Sequence, residues 1–143
     1  MVIIDNRRIA QMQKVLVEGM DLAGARSVLA QIGEIPHEPT RIGMLDYAAT
    51  RCGIREIAIS AFDQLCEALE GYPPDVKAGQ VEDMYFSGTR TMEIAERAIL
   101  YTLELLESGE LGLDLDPTRN FLSFVVQHKQ GEVRERARRL LAG

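Results

Sequence analysis

Apolar residues recur at helical spacing along nearly the whole chain, and no long stretch alternates with the period of two that a half-buried strand requires. An all-α fold follows. The clearest element runs from about Gly53 to Glu70. There Ile54, Ile57, Ala58, Ala61, Phe62, Leu65 and Leu69 form one stripe, with Arg55, Glu56, Ser60, Asp63, Gln64 and Glu67 largely opposite. A helix of about Arg90 to Ser108 is apolar on two faces, through Met92, Ala95, Ile99, Leu103 and Leu106 on one and Ile94, Ala98, Tyr101 and Leu105 on the other, so it is expected to be the most buried.

Shorter helices are expected at about Asp5 to Glu18, Asp21 to Ile32, Thr40 to Arg51, Asp75 to Tyr85, Thr118 to His128 and Glu132 to Ala142. Gly19, Gly33, Gly53, Gly71, Gly88, Gly109 and Gly131 fall at or beside the boundaries, as helix stops do. Asp116-Pro117 reads as an N-cap followed by proline at the first helical position. The helices pair into hairpins at about 5–33, 39–70, 75–108 and 117–142, within a single domain of 143 residues. Their second helices begin near residues 21, 53, 90 and 131, at intervals of 32, 37 and 41 residues, the spacing of stacked helical repeats.

A weak internal pattern runs through these second helices. Ile54-Arg55 is followed by Ala58, Ala61 and Leu65, and Val133-Arg134 by Ala137 and Leu140. The third hairpin has Ala95 and Ala98, with Glu93 near the arginine position, and the first has Ala25, Val28 and Ile32. This Val/Ile-Arg-x-x-Ala-x-x-Ala/Leu arrangement resembles the second helix of HEAT-like (armadillo-type) repeats. The resemblance implies a short right-handed stack of three to four antiparallel hairpins, an α-solenoid in which alanine admits close helix approach and Arg55 and Glu93 serve contacts between repeats. An irregular helical bundle with inward-facing alanines is the alternative. The polar first helix (Arg7, Arg8, Gln11, Lys14, Glu18) and last helix (Arg134, Glu135, Arg138, Arg139) suit the ends of an array.

Charge is distributed unevenly. Residues 1–66 carry eight acids against seven bases, residues 67–116 twelve against three, and residues 117–143 two against six. The acidic middle argues against nucleic acid binding over the whole surface, since phosphate contacts need clustered lysine and arginine. No apolar run is long enough to span a bilayer, and Val2 to Ile4 lacks the length and basic flank of a signal peptide, so a cytoplasmic protein is expected. Cys52 and Cys66 sit at apolar helix positions without a C-x-x-C pair, and are read as buried thiols. His37 and His128 are isolated, and nothing implies a metal or a cofactor.

The other motifs reduce to helix chemistry. Asp114 to Asn120 spaces oxygen ligands like the start of an EF-hand loop, but Arg119 stands where the turn needs glycine and Val125 where calcium needs a glutamate. Ser87-Gly-Thr-Arg-Thr91 lacks the glycine-lysine spacing of a phosphate loop and reads as a helix start capped by Thr89 or Thr91. Glu104, Glu107, Glu110, Asp114 and Asp116 form a row of acids of the kind that usually faces solvent.

The expected function is therefore a non-enzymatic protein–protein interaction or adaptor module. Two alternatives stand beside it. Nucleic acid binding would use the C-terminal basic cluster, Lys129, Arg134, Arg136, Arg138 and Arg139, which is also a candidate protein contact. A small-ligand or enzymatic role would use the central carboxylates. A homo-oligomer pairing the basic end of one copy with the acidic middle of another is a further candidate assembly.

Overall fold

The structure, a computed structural model, describes residues 6–19 and 21–143. Among these residues there are eight helices and no strand: α1 (Asn6–Glu18), α2 (Leu22–Gly33), α3 (Glu38–Arg51), α4 (Arg55–Ala68), α5 (Pro74–Phe86), α6 (Met92–Glu107), α7 (Asp116–His128) and α8 (Gly131–Ala142). The expected start of the first hairpin at Asp5, and the Val2 to Ile4 stretch, lie outside the described residues.

Local chemistry sets most boundaries within two residues of expectation. Asp21 caps α2 by accepting from the Ala23 amide at 3.1 Å. The helices α3, α5 and α7 each carry proline in the first turn, beside Glu38, Asp75 and Asp116, where a missing amide costs nothing and a carboxylate meets the positive end of the helix dipole. This corrects the expectation for α7: Leu115 occupies the cap, and Asp116 is already in the helix. Thr91 holds the cap position of α6 but makes no capping bond; its hydroxyl donates to the Cys52 carbonyl instead. Gly88, Gly109 and Gly131 adopt positive φ, whereas Gly53 is required for space.

Consecutive helices pack as pairs: α1 with α2, α3 with α4, α5 with α6, α7 with α8. Between pairs, α1 touches α3 and α3 touches α5, while α2 touches α4, α4 touches α6 and α6 touches α8; α2 also packs on α3, across the two layers. The helices α5 and α7 meet through rings, with Tyr85 5.0 Å from Phe121 and Phe86 5.0 Å from Phe124. One apolar core runs through all of this, with Leu16, Ile32, Leu45, Ile57, Leu65, Met84, Ile94, Leu103, Phe121 and Leu122 among its fully buried members.

The helix α6 buries seven side chains, more than any other. Ala25, Ala58, Ala61, Ala98 and Ala137 of the internal pattern are fully buried, which lets backbones approach closely; Ala95 is only half-buried. Cys52 is buried as expected, but Cys66 is partly exposed. No described helix is long and apolar enough to cross a membrane.

Candidate functional site

Carboxylates in the first turn of α4 and α6 give each neighbouring second helix an anion to hold. Arg26 of α2 reaches Glu56 of α4 at 2.6 Å, and Arg55 of α4 reaches Glu93 of α6 at 2.6 Å. Arg97 of α6 returns to Asp63 of α4 at 3.8 Å. The structure thus brings Arg55 and Glu93, read from the sequence as residues at similar places in successive hairpins, into contact with each other.

In the last hairpin the equivalent bridge is made by Arg136. Its guanidinium donates twice to Glu107, Nη2 to Oε1 at 2.5 Å and Nε to Oε2 at 3.0 Å, a forked geometry that only arginine supplies. The bonded Arg136 guanidinium holds the Glu107 carboxyl below its ordinary value, against the smaller opposing effect of burial.

The C-terminal basic cluster is consequently divided. Arg136 is committed to Glu107, and Arg138 pairs with Glu135 one turn away at 3.1 Å. Lys129, Arg134 and Arg139 make no ion pair among the described residues, and the Nε of Arg134 is buried without a hydrogen-bond partner.

Between α4 and α6 lies a groove of about 430 Å³, lined by Asp63, Cys66, Glu67, Glu70, Lys77, Tyr101 and Leu105. Its floor is apolar: Tyr101 packs edge-on against Phe62, with ring centroids 6.4 Å apart. Its rim is acidic. Burial, then the charges of Asp63 and Glu104, push the Cys66 thiol up to about 12, so it stays protonated and is a poor nucleophile. Burial, with Cys66, Glu110 and Glu70 nearby, likewise pushes the Tyr101 phenol up to about 12. Of the groove's three acids, Glu67 and Glu70 belong to the segment in which acids outnumber bases twelve to three, and Lys77 is the one base in the lining.

A second groove, about 460 Å³, separates α3 from α5 and contains a carboxylate that spacing does not single out. Asp46 accepts from Gln80 Nε2 at 2.7 Å and faces Asp83. Burial raises its pKa, the Gln80 bond opposes that, and the Asp83 charge adds to it. Asp46 is polar in a helix whose apolar pattern is irregular, which is why periodicity passes over it.

Arg90 is the other residue that sequence reasoning missed. Its backbone amide donates to the Thr50 carbonyl at 2.9 Å, and its Nη1 donates to the Val17 carbonyl at 2.5 Å, at the last turn of α1. On the way it passes Gly53, where a Cβ would sit 2.8 Å from Nε. The segment Ser87 to Thr91 thus ties the third hairpin to the first across the second.

His37 contacts Thr40 at 2.7 Å and His128 lies 4.9 Å from the Phe124 ring; among the described residues no three His, Cys, Asp or Glu side chains are gathered to hold a metal ion. Comparison of the chain with family models, with curated proteins and with solved structures gives no match.

Proposed function

We propose that the chain is a short HEAT-like array acting as a protein-interaction module, with the acidic groove between α4 and α6 as the seat for a basic segment of its partner. The observation that carries this reading is the pairing of like with like: second helices touch second helices through α2, α4, α6 and α8, bridged by arginine–glutamate pairs. An array of that kind leaves one continuous layer of helices free for a partner, and the functional step from it is an analogy with the fold class. The groove adds chemistry to the analogy. Its apolar floor offers area to bury, and Glu67 and Glu70, which outnumber the one lining cation Lys77, favour lysine or arginine, with charge setting on-rate and specificity more than affinity.

The test is affinity capture of the tagged protein from its source cells, with and without nuclease, using the native chain and a Glu67→Lys, Glu70→Lys double variant. A nuclease-resistant partner lost from the variant supports the reading. Capture that disappears with nuclease transfers the function to Lys129, Arg134 and Arg139, and a partner retained equally by the variant removes the groove from the reading.

A further inference from the structure

Among the described residues, α8 buries a single side chain, Ala137, fewer than any other helix, and it ends in the exposed Leu141. Arg134, Arg138 and Leu141 stand at i, i+4 and i+7, so they share one stripe along it. That stripe is cationic and loosely engaged. Arg134 makes no ion pair among the described residues, and its Nε is buried without a hydrogen-bond partner. Arg138 pairs with Glu135 of its own helix, an exposed pair that contributes little.

The groove between α4 and α6 is the complement of this stripe. Tyr101 and Leu105 give it an apolar floor, and Glu67 and Glu70 stand three apart where α4 ends, close to the separation of arginines four apart on a helix. Glu104 and Glu110 add to the field there, since their charges raise the Cys66 thiol and the Tyr101 phenol respectively. None of these four acids is in an ion pair among the described residues. Asp63 is already held by Arg97, and Lys77 is the one opposing cation of the lining.

The α8 of the same chain cannot supply the stripe. It is fixed to α6 by the forked Arg136–Glu107 bond, and α6 stands between it and α4. The far end of the array offers no better seat, because α1 carries Arg7, Arg8 and Lys14 against Glu18 alone and would set cation against cation. Each copy carries −6 in all, so net charge opposes association and the attraction is between regions.

We infer that the occupant of the α4–α6 groove is a second copy of this chain, which lays the Arg134, Arg138 and Leu141 stripe of its α8 against it. The inference rests on the proposed reading of the groove as a seat for a basic segment. Leu141 covers Tyr101 and Leu105, while the two arginines meet Glu67 and Glu70. One helix stripe buries less than the roughly 800 Å² per partner of a standard interface, so the contact is weak and sensitive to salt.

The experiment is sedimentation velocity of the full chain from about 10 μM to about 1 mM, in about 50 mM and about 500 mM salt. The native chain is expected to gain mass with concentration at the lower salt and to stay monomeric at the higher. Arg134→Glu with Arg138→Glu in one variant, and Glu67→Arg with Glu70→Arg in another, set like charges against each other, and each variant is expected to stay monomeric alone. Mixing the two restores association, because each supplies the half that the other lacks, and restoration shows that both have folded. Leu141→Ser changes a side chain that is 46% exposed, which spares the fold, and weakens association of the otherwise native chain about tenfold. A native chain that stays monomeric throughout, charge variants that associate as the native chain does, or Leu141→Ser without effect would each overturn the inference. The reading of the groove fails separately. A monomeric native chain that loses a captured protein partner in Glu67→Lys, Glu70→Lys overturns the second copy as occupant and leaves the seat for a basic segment standing.

Discussion

The joint between the second and third hairpins and the joint between the third and fourth are built from different interactions. The first is directional and polar. Arg90 bonds Thr50 and Val17, Thr91 bonds Cys52, Gln80 bonds Asp46, and Arg55 and Arg97 each reach an acid across the α4–α6 contact. The second joint rests on rings, Tyr85 and Phe86 against Phe121 and Phe124, with one forked ion pair, Arg136 to Glu107. Hydrogen bonds fix register and angle, whereas ring packing fixes chiefly area. The polar joint nonetheless keeps two open grooves, between α3 and α5 and between α4 and α6, because bonds at a few points hold helices in place without filling the space between them.

The largest expected effect attacks the aromatic joint. Phe121 is fully buried and its ring meets Tyr85 at 5.0 Å, so Phe121→Ala is expected to cost about 3–5 kcal/mol in denaturant unfolding, the range for aromatic truncation in a core. If the two joints are energetically separate, hydrogen exchange in the variant rises first in α7 and α8. Equal loss of protection in α3 and α4 would show that the hairpins share one cooperative unit.

The polar joint is probed by Gly53→Ala. The added methyl lies 2.8 Å from Arg90 Nε and 2.9 Å from its Cζ, so the guanidinium must leave the Val17 carbonyl. Arg90 is exposed and its tip is flexible, which keeps the expected cost to about 1–2 kcal/mol. A double-mutant cycle sharpens this. In an Arg90→Ala background the three atoms nearest the methyl are gone, and its cost is expected to fall below about 0.5 kcal/mol. Additive costs would mean that Gly53 serves its backbone alone.

This contrast also marks what the sequence made legible. The apolar stripe from Ile57 to Leu65, the fully buried alanines and the prolines opening α3, α5 and α7 are local signals, because burial and capping repeat with the helical period. Arg55 and Glu93 could be singled out by position, but not as partners, since neither residue records how far adjacent helices slide. Arg90 and Asp46 carried no local sign. One acts on a carbonyl 73 residues away, and the other is met by Gln80, 34 residues away in the next hairpin. Cys66 fits an apolar stripe, yet it faces the groove because α6 does not cover that edge of α4.

Titration separates the joints by sign, with the smallest effects. Bonding to Arg136 holds Glu107 below its ordinary value of 4.5, so the folded chain binds fewer protons there than the unfolded chain. Its contribution is present above about that value and is lost as pH falls through the lower folded value. Both partners are partly exposed, so the expected size is about 0.5–1 kcal/mol, and Glu107→Gln should flatten that part of the acid unfolding curve. Asp46 behaves oppositely. Burial raises it above 3.8, so folding is favoured by its protonated form, and stability falls as pH rises from about that value through the folded one. Asp46→Asn keeps an acceptor for Gln80 Nε2 while removing the buried charge. At neutral pH it is expected to stabilise the chain by less than about 1 kcal/mol, with no gain in acid, where Asp46 is already neutral. A loss of stability at neutral pH would mean that the charge itself holds α5 against α3, and the polar joint would then depend on ionised groups at both of its faces.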